Sequence, residues 1–324
     1  MSRIKNRISL RIALTVLFTP VACMAATVAH QSDQLCAATL SSGIPARPSL
    51  ATTGREFAAR VKDMNSDQRE SAILAELKRG NIPAFLRRLV PITWDAHLAD
   101  NRNVAVTLCV AADYLAIGSD DDYLLMPMRL ETALLFGNLY GFVLPTRKLV
   151  NEIYDQAQLH LAPQPLPASP EMRSTNYYWQ HNEMVHDQRS SAALPAGTLT
   201  AGDKKDLVLS NRLWLNLKRV AIYGWHRNDG SPIQPLSTVH GARYVDYSHG
   251  VRLVSSTAYI DGQARPLLKL LEDPQLASLL SDEGPIPEVT RLIGILSTLK
   301  LSPKPMFGLG SNLASPVAMI GSAE

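Results

Sequence analysis

Residues 162–170 carry four prolines, Pro163, Pro165, Pro167 and Pro170, and no helix can run through them. Each proline fixes φ and removes a backbone donor, so the stretch must be extended, as a stiff connector or a domain boundary. Helical patterns dominate before it and turn-rich β patterns after it, so the chain reads as α+β. The expected order is a helical N-terminal part, then a central mixed or antiparallel sheet with covering helices.

On the N-terminal side, Thr52 or Thr53 can cap a helix through Met64. Ser66, followed by Glu70, Ile73, Leu74 and Leu77, starts another that Gly80-Asn81 stops. Pro83 opens a short third helix carrying Phe85, Leu86 and Leu89. Val104 to Val110 and Tyr114 to Ile117 read as strands. Asp120 to Asp122 lack the spacing of an EF-hand and read as a solvated turn. Helices are expected over 129–140 and 146–159, the second capped by Thr146. Beyond the prolines come a helix over 174–189, a β-rich stretch over 205–260, and helices near 266–280 and 287–299.

The first 25 residues read as an export signal. Arg3, Lys5, Arg7 and Arg11 form a basic start, Ile12 to Val21 is apolar, and Cys23-Met24-Ala25 offers small residues for cleavage after Ala25. The apolar run is shorter than the ~20 residues a membrane helix needs. A lipid anchor on Cys23 is the competing reading, against which Pro20 stands where such signals usually have Leu. The expected segments are 1–25 signal peptide, 26–52 flexible arm, 53–160 helix-rich part with short strands, 161–302 β-rich part with the site, and 303–324 flexible tail. The mature chain is expected to be periplasmic or secreted, with no transmembrane helix. The full chain holds 32 Lys+Arg against 29 Asp+Glu, and loss of the four signal cations turns its formal +3 slightly negative. No basic stripe interleaved with aromatics remains for nucleic acid, and no Gly-rich phosphate loop or Rossmann fingerprint supports a nucleotide cofactor. In an oxidising compartment Cys36 and Cys109 can pair; alternatively Cys109 is a small buried hydrophobe.

Chemistry-bearing residues concentrate late in the chain. His181, His186, His226, His240 and His249 are five of the eight histidines. The densest run is YGWHRNDGSPIQPLSTVHGARYVDYSHGVRLV from Tyr223. If Tyr244 to Val254 is one strand, Val245, Tyr247, His249, Val251 and Leu253 face the core, and Asp246, Ser248 and Arg252 form a polar row facing solvent or a cleft. On that geometry His249 is a hydrogen-bonded core residue unless a turn at Ser248-His249-Gly250 exposes it.

The runs DYLAIGSDDD from Asp113, LPTRK from Leu144, AGDKKD from Ala201, and YGWH, PIQPLS and YVDYSHGVRLV resemble those of a family of exported bacterial proteins whose activity is not established. The resemblance covers most of the chain beyond the signal. It implies export and supplies no mechanism.

His240, Asp246 and His249, with His226, are acceptable zinc ligands, and the order His then Asp faintly resembles the LAS-type peptidoglycan peptidases. Those enzymes place the pair seven apart in Ser-x-His-x-x-Gly-x-Ala-x-Asp, whereas here the offset is six and the glycine is displaced. An extended path would separate the two side chains by about 20 Å, so Gly241 would have to turn the chain. His181 and His186 lie ~140° apart around a helix and miss the zincin pattern; Glu183 and His186 share a face, ordinarily a solvated one. Metal and cofactor content therefore stay unknown. The metal-free alternative takes His226 or His240 as general base, Asp246 as orienting group and Ser248 as nucleophile, though Ser248 lacks a Gly-x-Ser-x-Gly elbow. Lys204, Lys205 and Arg252 can neutralise an anion such as a cell-wall carboxylate, or are ordinary surface charge. Trp225, Tyr244 and Tyr247 can stack on sugar rings or fill the core, and Gln234 joins the substrate-binding candidates. Two functions remain open: a hydrolase acting on a cell-envelope peptide or glycan, and a non-catalytic ligand-binding or envelope-assembly module. A catalytic site needs His and carboxylate within hydrogen-bond reach beside a cleft; a binding module does not.

Overall fold

The computed structural model describes residues 34–37 and 43–298. The signal segment, Cys23 and the tail 303–324 lie outside the described residues. The fold is mixed α+β. Among the described residues no helix is long and apolar enough to cross a membrane.

Helix α1 (Gly54–Val61) starts on a capping box in which Thr53 Oγ1 accepts from Glu56 N and the Glu56 carboxylate accepts from Thr53 N. Helix α2 (Ser66–Lys78) is capped one residue earlier than expected, by Asn65 with Gln68 as reciprocal partner. A single 3-10 turn, Ala84–Arg87, follows Pro83. Leu89 is not its last apolar residue. It opens strand β1 (Leu89–His97), which forms a hairpin with β2 (Asn103–Ala111). Pro91 is tolerated because β1 is an edge strand.

Strands β3 (Ala116–Gly118) and β4 (Tyr123–Leu125) form a small hairpin whose turn holds Asp120 to Asp122. These acids cap other elements. Asp120 Oδ1 accepts from Ala84 N and Phe85 N, and Asp122 Oδ1 accepts from Arg55 N. Gly54 is required where α1 meets this hairpin, since a Cβ there would sit 2.4 Å from Tyr123 C.

Helix α3 (Leu130–Tyr140), strand β5 (Phe142–Val143), helix α4 (Arg147–Gln156) and strand β6 (Leu159–His160) lead to the prolines. Thr146 Oγ1 accepts from Leu149 N and so caps α4. Beyond the prolines run α5 (Thr175–Ala192), β7 (Thr200–Ala201), β8 (Lys205–Leu207), α6 (Arg212–Leu215), β9 (Ile222–His226) and β10 (Pro232–Ser237). Strands β11 (His249–Gly250), β12 (Val254–Ile260) and β13 (Gln263–Pro266) and helices α7 (Leu267–Glu272) and α8 (Val289–Thr298) close the described chain.

The larger sheet runs β1-β2-β12-β13, with β5 also paired to β12, so it joins strands from both sides of the proline segment. Val254 lies opposite Val110, and one hydrophobic core draws on both parts. The proline segment therefore does not separate two independent cores. It packs as a strap: Leu166 N donates to the Tyr247 hydroxyl at 2.7 Å.

The residues expected as a flexible arm are tied down where they are described. Cys36 is disulfide-bonded to Cys109 on β2, with Cα atoms 5.3 Å apart. Arg47 donates to Asn81 Oδ1 and to the carbonyls of Gly118, Ala51 and Thr52, which seats the segment from residue 43 on the body.

Candidate functional site

The second sheet, ordered β10-β9-β8-β11, organises the histidine-rich segment. β8 lies between antiparallel β9 and parallel β11, with Lys205 opposite Gly224 on one side and His249 on the other. The continuous strand expected over 244–254 does not form. Asp246 Oδ1 accepts from the backbone N (2.9 Å) and Oγ (2.6 Å) of Ser248, and His249 N donates to the Asp246 carbonyl. A side chain that bonds the backbone two residues on closes a turn, and that turn breaks the alternation. The expected polar row is consequently buried: Asp246, Ser248 and Arg252 are each 1% exposed or less. His249 is also 1% exposed, since the turn falls before it. Gly250 permits the close packing, because a Cβ there would meet the Tyr114 ring at 2.5 Å and Lys204 Cβ at 2.8 Å.

This turn brings five candidates together. The His240 and Tyr244 rings stack at 4.0 Å, Tyr244 lies 5.8 Å from His249, and His240 lies 6.4 Å from His249. The Tyr244 hydroxyl donates to Asp246 Oδ2 at 2.9 Å. Burial alone would raise the Asp246 carboxyl, but His249, the Ser248 bonds and Lys205 hold it below the ordinary value. Burial pushes the His249 imidazole down to about 4, with Lys205 and His240 acting in the same sense and Asp246 against them. His249 is therefore neutral at pH 7, and neither ring nitrogen has a hydrogen-bond partner among the described residues.

Lys205 and Trp225 border the same turn. The Lys205 ammonium lies 4.8 Å from the Trp225 ring centroid. Trp225 has φ +57°, a left-handed conformation costing an aromatic L-residue ~1–2 kcal/mol. Its indole N–H is buried and unpartnered among the described residues.

The remaining candidates lie elsewhere. His226 stacks on Tyr154 at 4.5 Å, meets Tyr223 edge-on and lies 3.3 Å from Asn151 Oδ1. It touches neither His240 nor His249 among the described ring contacts, so the four-ligand zinc set is not assembled. Gln234 bonds its own neighbour, the Pro235 carbonyl. Arg252 is structural: it donates to the Ala111 and Thr200 carbonyls and lies over the Tyr114 ring at 4.2 Å. The Ser248 hydroxyl is spent on Asp246 and meets no imidazole in the described hydrogen bonds, which leaves the nucleophile role without its base. Among the described residues no group of three or more His, Cys, Asp or Glu side chains could hold a metal ion.

Beneath the turn lies an ionic layer that no local sequence pattern marks. Lys204 is buried, not a surface charge; its ammonium bonds His181 Nδ1 and the Tyr247 carbonyl. Asp113 pairs with Arg189, and the Tyr114 hydroxyl donates to Asp206 at 2.8 Å. Burial raises Asp206 to about 7 against the pull of Arg252, and burial with the charge of Asp113 raises Asp203 to about 6. The runs from Asp113 and Ala201 contained Asp113, Tyr114, Asp203, Lys204 and Asp206, but composition gave no sign that they meet. His186 reaches the Tyr123 carbonyl and leaves Glu183 with Arg55, so that pair is only a helix surface.

No protein-family model matches the chain, and neither curated proteins nor solved structures include a significant match.

Proposed function

We propose that the protein is exported and hydrolyses a cell-envelope peptide or glycan at the His240–His249 turn. The observation that carries this reading is the His249 imidazole, buried, neutral at pH 7 and with both nitrogens unpartnered beside the Asp246 carboxylate. Buried polar groups are ordinarily hydrogen-bonded, and the exceptions concentrate where chemistry is done. His240, half-buried and stacked on Tyr244, takes the role of general base toward water; His249, closed off from solvent behind it, meets the Tyr244 ring edge-on and positions it. Asp246 orients Tyr244 and stabilises an imidazolium when one forms. The Cys36–Cys109 disulfide supports an oxidising compartment.

A non-catalytic envelope-binding module is the second reading. It is favoured by one fact: no hydrogen bond among the described residues joins an imidazole to a carboxylate, because Asp246 is engaged by Ser248 and Tyr244.

The test is to incubate the purified, oxidised chain with purified envelope and to follow released amines, reducing ends and sedimented protein. The hydrolase reading expects release that H240A and H249Q abolish with retained folding. Binding without release supports the module instead. Neither release nor binding, or both unaffected by H240A, sinks the assignment of this turn.

A further inference from the structure

We propose that the cleft between α1 and α5 is a binding site for a sugar unit that carries a carboxylate. Its lining shares no residue with the His240–His249 turn, and the proposal does not depend on the activity assigned there. Helix α1 and the residue that ends it line the cleft with Arg55, Ala58, Ala59 and Lys62, spaced as one helical face, and α5 answers with Asn176, Trp179 and Gln180. The space between them is open to solvent and holds about 290 Å³, close to the lower bound of ~300 Å³ for small-molecule sites. It exists because the middle of the α1 face is two alanines, with a cation at either end.

Each wall offers groups that no internal bond engages. The Lys62 ammonium, the Asn176 and Gln180 amides and the Trp179 indole N–H make no side-chain hydrogen bond or ion pair among the described residues. Arg55 lies 4.7 Å from the Trp179 ring centroid and meets Glu183 only at 3.7 Å, between side chains 67% and 49% exposed. Such a pair is worth little and yields readily to a ligand. Two cations against one acid leave room for a single negative charge. Each amide joins a donor to an acceptor, which suits a hydroxyl, since a hydroxyl both gives and accepts; the partly buried Trp179 offers an apolar edge to the C–H groups of a sugar ring. An extended peptide is the poorer fit, because both walls are helices and no strand edge is free to pair with it. Phosphate brings a second charge that Glu183 opposes.

Calorimetric titration of the full oxidised chain tests this with trigalacturonate, its methyl ester and an acetylated dipeptide acid. The sugar acid should bind about tenfold tighter than the ester. R55M/K62M should erase that preference, A59F should weaken acid and ester alike by about tenfold with the melting curve unchanged, and H240A should bind as the wild type does. Equal binding of acid and ester, no binding of the acid at millimolar concentration, or binding untouched by A59F overturns the site. A dipeptide acid held as tightly as the sugar acid overturns the assignment to a sugar. Envelope cleavage is a separate readout: its absence rejects the hydrolase reading and leaves this site standing, whereas binding that H240A abolishes and A59F spares moves the ligand to the turn and rejects this site alone.

Discussion

The Lys204 ammonium donates to His181 Nδ1 at 3.0 Å, between side chains that are 1% and 0% exposed. A protonated donor on Nδ1 fixes His181 as the neutral tautomer with its proton on Nε2. Burial and the Lys204 charge hold the His181 imidazole well below its ordinary value.

Burial also brings Lys204 down to about 8 from 10.5. Between those values the unfolded chain binds the proton and the folded chain has released it, so stability rises with pH across that window. Below about 8 the cost of burying the charge is fully present. Urea denaturation at pH 7.5 and 10 should show a stability gain in the wild type that is smaller in K204M. Equal gains would remove Lys204 as its source.

Asp206 gives the opposite slope. Its folded value near 7 lies above the ordinary 3.8, so the folded state holds a proton that the unfolded chain gives up. That stabilisation is complete below pH 3.8 and lost as pH rises through 7. D206N, whose amide oxygen can still accept from Tyr114, should flatten the fall in stability between pH 5 and 8; an unaltered slope would place the titration elsewhere.

The Cys36–Cys109 bond closes a loop with a sequence separation of 73. Chain-entropy arguments give it about 4 kcal/mol. Reduction, or the C36A/C109A double variant, should lower the unfolding free energy measured in urea by an amount of that order. A change within error would show that the bond adds nothing to the ties made by Arg47 and by Arg87 to the Ile44 and Pro45 carbonyls.

Gly250→Ala should cost about 1–3 kcal/mol, because the added methyl meets the Tyr114 ring and Lys204 Cβ inside contact distance. The same substitution should displace His249 and change any ligand affinity measured there. Wild-type stability in G250A would contradict the close packing of β11 against Tyr114.

Local signals were the legible part of the fold. Thr53 and Thr146 carry the caps expected of them, and the apolar Val104 to Val110 run is a strand. β1 was hidden because Phe85, Leu86 and Leu89 fit a helical face and Pro91 argues against a strand, whereas its partner on β2 decides the matter. At the site, His240, Tyr244, Asp246 and His249 were recognisable by type, and Lys205 and Trp225 as companions. Their geometry was not, because strand alternation predicts the wrong faces once Asp246 bonds Ser248. His226 and Arg252 looked like members only by proximity in sequence. Lys204 and His181 were named but their contact was not, and Asp206 was not singled out, since burial of a charge depends on partners far away in the chain.

The pairing of Val110 with Val254 also sets an order of events. As the chain emerges, the β1–β2 hairpin is complete long before its inner neighbour β12 has been made, and β2 must travel with one row of amides and carbonyls bare. Maturation is therefore exposed to mispairing between nascent copies until the last third arrives, and early engagement of Cys36 with Cys109 would hold that hairpin's other partners in place during the delay.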